Sequence, residues 1–253
     1  MEYWLWISML PGIGAVTSWN LIQKFKDPKT IYESNIEEVG RLCNLNRKQK
    51  ESIAFHRDLE RAKELYDKCQ RNGIGILTVN DTKYPKKAKL QKNTPILLYY
   101  KGTIKSVDKS MGIVGARRCT QEDKLFTKAY TQGHVNNGEC IISGMAKGVD
   151  AYAHTACMEA GGYTIAVLAC GLDICYPSEH KLLMERISEK GLLLSEYAPG
   201  VPPAQYNFPR RNRIISAWSD RLTVIAPGKG SGAFITADES RNLGREVIVY
   251  RTG

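Results

Sequence analysis

Hydrophobic patterning divides the chain into two textures. Up to about residue 72 the apolar positions recur at helical spacing. Val16, Trp19, Ile22 and Phe25 mark one such face, and Leu59, Ala62, Tyr66 and Cys69 mark another, opposite charged residues. Asn72-Gly73 supplies the stop signal for the second helix. From Ile74 the apolar residues gather into short β-rich runs, Ile74–Val79 and Pro95–Tyr100. Beyond Ser110, strand-like and helix-like segments alternate. The strand candidates are Ile113-Val114, Ile141-Ile142, Thr164–Leu168, Leu192–Leu194, Leu222–Ile225 and Val247–Tyr250. Gly161-Gly162, Gly191 and Gly244 fall near the ends of the intervening helices. Short apolar strands separated by helices predict an α/β fold with a mostly parallel, doubly wound sheet. A small all-helical domain over 1–72 precedes a sheet domain over 73–253.

In such sheets ligands bind at the carboxyl ends of the strands, so the strand-end turns are read first. The most suggestive is Cys140–Asp150, where an apolar strand gives way to Ser143-Gly144 and then to a helix from Gly148-Val149-Asp150. A glycine-rich strand-to-helix turn aims backbone N–H groups and a helix dipole at whatever lies above it, and Lys147 adds a cation. A second turn repeats the design. The strand Ser110–Val114 runs into Gly115-Ala116-Arg117-Arg118, with Thr120 as N-cap of the next helix and Asp123 in its first turn. The pair predicts adjacent anion sites on one sheet edge, each a cation beside glycine amides. Further strand ends offer Gly171-Leu172-Asp173 with Tyr176-Pro177, and Ser195-Glu196-Tyr197 followed by a loop carrying Asn207–Ile215. The last is Gly228-Lys229-Gly230-Ser231-Gly232 with Thr236 beyond.

Charge sharpens the picture. Against 26 acidic residues stand 36 basic ones, a net charge of +10, most of it before residue 110. Lys83, Lys86, Lys87, Lys89 and Lys92 form a basic segment read as a solvated loop. A polyanionic partner fits this balance. The seven cysteines show no C-x-x-C spacing and the four histidines are dispersed, which predicts reduced thiols and no metal cluster. No apolar run is long enough to span a membrane, and the N-terminus has no basic region of a secretory signal. The expectation is a cytoplasmic protein.

Taken together, these blocks resemble the DprA/Smf family of DNA-processing proteins. The resemblance rests on Gly115–Arg118, on Ser143–Asp150 with Ala153-His154, and on Gly161–Leu168, Gly171–Asp173 and Tyr176-Pro177. Gly191–Glu196, Asn207–Ile215 and Ser231–Ala237 complete it, over about residues 75 to 253. Ala116 stands where the family often has Ser. The resemblance implies an extended Rossmann-like domain that binds single-stranded DNA, works as a homodimer and needs no cofactor. It implies a role in natural transformation, protecting incoming strands and helping to load a RecA-type recombinase. It also implies a small SAM-like helical domain in front. The C-terminal winged-helix-like domain of many members is not expected in this chain. Separately, Pro11-Gly12-Ile13-Gly14 is similar to the hairpin of helix-hairpin-helix modules, read here chiefly as a packing element.

The candidate DNA-binding residues are Gly115, Arg117, Arg118, Ser143, Gly144, Lys147, Gly148, Arg210, Arg211, Asn212 and Arg213. Arg117 and Lys147 are the expected phosphate contacts, with the glycines giving the strand room to approach. Arg210, Arg211 and Arg213 either meet DNA or anchor their loop, and Asn212 either pairs with a base or pins that loop. Tyr206 and Phe208 are read as loop packing, with base stacking as the alternative. Asp150, Asp173 and Glu196 are expected to cap helices or orient cations. An enzymatic alternative is a phosphoribohydrolase on a related sheet, whose P-G-G-x-G-T-x-x-E run is not matched by Pro227–Gly232. A dinucleotide-dependent oxidoreductase fails because Gly112-x-x-Gly115 is not G-x-G-x-x-G.

Overall fold

The computed structural model describes residues 1–91, 93–228 and 231–251. The chain folds as two compact units, Met1–Leu98 and Tyr99–Gly253. The first unit opens with helices α1 (Glu2–Met9), α2 (Ala15–Phe25) and α3 (Pro28–Glu33). It continues with α4 (Ile36–Cys43), α5 (Arg47–Phe55) and α6 (Glu60–Arg71). Local chemistry sets their starts. Asp27 caps α3 with Pro28 in its first turn, Asn35 caps α4, and Asn46 with Gln49 closes a capping box on α5. Leu5, Ile7, Leu21, Ile31, Val39, Ile53, Ala62 and Cys69 are fully buried among these helices. The buried stripe of α2 is rotated from the expected one. Leu21 and Ile22 face inward, whereas Val16 is half exposed. After α6, Gly73 turns the chain at φ +62° into strand β1 (Gly75–Thr78).

Strand β2 (Leu97–Gly102) carries the chain into the second unit. There follow β3 (Ser110–Gly115), α7 (Gln121–Asn136), β4 (Cys140–Ser143), α8 (Val149–Glu159) and β5 (Thr164–Leu168). The chain ends with α9 (Lys181–Lys190), β6 (Leu192–Ser195), α10 (Asn207–Trp218), β7 (Arg221–Ile225), α11 (Ala233–Asn242) and β8 (Glu246–Tyr250). The strands lie in the order β2-β6-β5-β4-β3-β7-β8. All are parallel except β2, which runs antiparallel to β6 with Tyr99 opposite Ser195. Each expected strand therefore forms, and the doubly wound sheet with it. The residues of β4 and β5 are buried throughout, as strands covered on both faces require. Met111, Ile113, Ile141 and Ile225 of the sheet pack with Val149, Ala153 and Cys157 of α8.

This order creates one special place. From β3 the chain steps outward through β4, β5 and β6, then returns to the other side of β3 as β7 and β8. The crossovers leaving the carboxyl ends of β3 and β7 thus diverge, which opens a crevice between them.

Candidate functional site

A recess of about 420 Å³ occupies that crevice. Its walls are the β3–α7 turn (Gly115, Arg117, Arg118), the start of α10 (Phe208, Arg211, Asn212) and the start of α11 (Ser231, Gly232, Thr236). A smaller hollow of about 70 Å³ adjoins it and is lined by Lys147, Cys170, Tyr176 and Pro177. Arg117, Ala146, Phe208 and Arg211 line both. The hollow has room for little more than a water or two, so the recess is the place for a ligand.

The β3–α7 turn is held from both sides. Ala116 donates its amide to Ile225 O at 3.1 Å and accepts the Val149 amide at 3.0 Å. Gly148, at φ +77°, crosses directly beneath it, where a Cβ would lie 2.8 Å from the Arg117 carbonyl. A side chain is excluded there by the protein itself. Arg117 and Arg118 are left exposed on the turn, with the Arg117 guanidinium 5.8 Å from the Phe208 ring centre. The α7 N-terminus behind them is closed by the expected capping box of Thr120 and Asp123.

The β4–α8 turn differs from its expected role. The amides of Gly144 and Ala146 donate to Asp150 Oδ2 at 3.1 and 3.3 Å, so the anion they bind is the protein's own carboxylate. Burial pushes the Asp150 carboxyl above its usual range, against the opposing pull of Arg211 and those amides. Ser143 is buried and donates its hydroxyl to Ile113 O at 2.6 Å. Gly144 leaves room for Arg211, because a Cβ would sit 2.6 Å from Arg211 Nη2. Lys147 is paired with Glu179, whose carboxyl it holds below the usual value, and both side chains are more than half exposed.

Asn207–Ile215, read from the sequence as loop, is helical within α10. Pro209 stands in the first turn, where no backbone N–H is missed. The helix separates the arginines. Arg210 is exposed and lies 5.5 Å from the ring centre of Tyr206, itself 67% exposed. Arg211 is buried and donates through Nη1 to the carbonyls of Gly144 and Val167, the latter at 2.6 Å, tying the ends of β4 and β5. Asn212 Oδ1 accepts from Arg211 Nε at 3.0 Å. Arg213 is buried away from the recess and donates to both Glu196 carboxylate oxygens at 2.5 Å. Asp173 accepts the Gly200 amide at 2.8 Å. Lys92, Lys229 and Gly230 lie outside the described residues.

The sequence reading assigned no role to Tyr176, Glu179 or Thr236. Tyr176, 46% exposed, has its ring 5.6 Å from that of Phe208. Only the fold brings these rings together. Among the described residues no group of His, Cys, Asp and Glu is placed to hold a metal ion, and no helix is long and apolar enough to cross a membrane.

Fold and site define a doubly wound α/β protein with a cationic, aromatic-edged recess at its topological switch point. The model of the DNA recombination-mediator protein A family matches residues 75–252, and the chain belongs to that family. It is 34% identical over 251 residues, 97% of its length, to Protein Smf of Synechocystis sp.. It is 38% identical over 157 residues, 62% of its length, to the DNA processing protein DprA of Streptococcus pneumoniae. The chain spans 63% and 55% of those two relatives. The solved structure of the S. pneumoniae protein superposes with a TM-score of 0.87 at 26% identity, covering 100% of this chain and 87% of that one. A DprA structure from Helicobacter pylori, described for its single-stranded DNA binding mode, gives a TM-score of 0.64 at 30% identity. It covers 70% of this chain and 81% of its own.

Proposed function

We propose that the chain binds single-stranded DNA along the carboxyl edge of its parallel sheet, protects the strand and helps to load a RecA-type recombinase. The observation that carries the reading is the cationic and aromatic rim of the recess. Arg117, Arg118 and Arg210 present charge for phosphates, while Phe208, Tyr176 and Tyr206 present ring faces for unstacked bases. A duplex hides its base faces and has no use for such a rim. The H. pylori relative, named for single-stranded DNA binding, supports the same reading. Arg211 acts from the floor, holding the strand ends under the rim and adding positive potential. Gly115, Ser143, Gly144 and Gly148 act by keeping the turns in place.

The acids nearest the recess fit a binder better than a base-releasing enzyme. Asp150 is occupied by two amides and Glu196 by Arg213. Self-association as a homodimer is part of the proposal, and Ile235, 44% exposed on α11, offers apolar surface for it. Fluorescence anisotropy with a labelled oligothymidylate and its duplex tests the central reading. The single strand should bind more tightly, with an affinity that falls steeply with salt, by a slope of about −0.7 per phosphate contact. Equal affinity for duplex, or binding indifferent to salt, contradicts it.

A further inference from the structure

One polar group in the recess has no partner. Thr236, in the first turns of α11, is completely buried, and its hydroxyl has no hydrogen-bond partner among the described residues. It lines the recess. The rest of its surroundings is satisfied, since the Thr236 carbonyl accepts from Ser216 Oγ at 3.0 Å and Ser216 in turn meets Ser240 at 2.9 Å. Buried hydroxyls are as a rule hydrogen-bonded, and an exception facing a cavity points to a missing ligand.

The same wall provides a favourable end of a helix. The N-cap of the ten-residue α11 is Gly232, which has no side chain to close it, and Ser231 Oγ takes only the Ala233 amide, at 3.3 Å. The contrast with α7 is direct, because there a Thr and an Asp fill the equivalent place. A helix dipole without an acidic cap favours an anion. Arg117 and Arg118 stand on the opposite wall. Asp150 also lines the recess, but its carboxylate is turned to the Gly144 and Ala146 amides and lies near Arg211. The volume of about 420 Å³ suits a small organic ligand rather than a lone ion, and Phe208 supplies a ring beside it.

We infer that the start of α11 is a phosphate subsite for a single nucleotide, in which the Thr236 hydroxyl and the helix N-terminus hold a terminal phosphate. The nucleotide is either free or the 5′-phosphorylated end of a strand. The second source rests on the strand-binding reading above, and the first does not. The subsite gives the protein a preference for phosphomonoesters that rim contacts with internal phosphodiesters do not supply.

The test has two arms. In the first, isothermal titration calorimetry compares deoxythymidine monophosphate with thymidine on the unmodified protein. In the second, anisotropy compares a short oligothymidylate bearing a 5′-phosphate with its 5′-hydroxyl form. A phosphate preference of roughly tenfold in either arm is expected, the size of a hydrogen bond to a charged group. Thr236→Val should abolish that preference, leave 5′-hydroxyl strand binding unchanged and melt like the parent, while Thr236→Ser retains it. No phosphate preference in either arm, or one untouched in a folded Thr236→Val protein, overturns the inference. If neither oligonucleotide binds, the strand reading fails, and the monophosphate arm alone then decides this one.

Discussion

The β3–α7 and β4–α8 turns look alike in sequence and do different work. Each follows a buried strand, carries glycine and presents a cation. In the first, the helix N-terminus is closed by Thr120 and Asp123 and the cations are left outside, with Arg117 set over the Phe208 ring. In the second, Asp150 reaches back to the Gly144 and Ala146 amides, so the turn has already taken up its anion. Its cation Lys147 sits on the surface beside Glu179. The lesson is that a glycine-rich turn states only that backbone comes close. What comes close is decided by the next acid or base along the chain, here a protein carboxylate rather than a ligand.

The comparison breaks most sharply at Arg211, the group beneath the β4–α8 turn. Arg211→Met removes the donors to Gly144 and Val167 and leaves Asp150 buried without its counter-charge. The expected loss is about 3–5 kcal/mol of unfolding free energy by denaturant titration. A variant as stable as the parent would show that the buried guanidinium does not hold the turn.

The next largest effect follows from His154 in α8. Thr164 Oγ1 donates to Ile141 O at 2.9 Å, so at 2.7 Å it accepts from His154 Nδ1, which fixes the proton there. Nε2 is buried without a partner. Burial, with Arg211 and His180 nearby, lowers the His154 pKa from 6.5 to about 3. The unfolded chain therefore binds a proton below pH 6.5 that the folded chain refuses, and stability is lost as pH falls towards 3. Asp150, with its pKa raised, works in the opposite sense, so the variant must isolate the histidine. The stability difference between parent and His154→Gln should shrink by on the order of 3 kcal/mol from neutral pH to pH 4. A difference constant with pH would mean that the ring is hydrated.

Much of this was legible in the sequence because it depends on local pattern. Thr164–Leu168 forms a strand over those same residues, the capping box at Thr120 appears as read, and the alternation of runs dictates the sheet. The acids Asp150, Asp173 and Glu196 do orient amides and cations, as expected of them. What the sequence concealed depends on contacts far along the chain. Arg211 meets Gly144 across 67 residues, and the Tyr176 ring finds Phe208 only once β5 and α10 are in place. Four consecutive residues, Arg210 to Arg213, read as one cationic loop, but a helix sends each in its own direction. The orphan hydroxyl of Thr236 leaves no trace in sequence, since an unsatisfied group is defined by what does not surround it.

The claim that the first turn, not the second, presents the phosphate contact is tested by Arg117→Ala and Lys147→Ala side by side. Arg117 is exposed at the rim, so its removal should weaken oligothymidylate binding about tenfold while leaving the melting temperature unchanged. Lys147 is already paired and solvated, so its removal should cost less than about threefold. Anisotropy titrations of both variants at one salt concentration, each with its thermal melt, give the answer directly. Equal losses, or a larger loss for Lys147→Ala, would contradict this account and return the phosphate site to the β4–α8 turn.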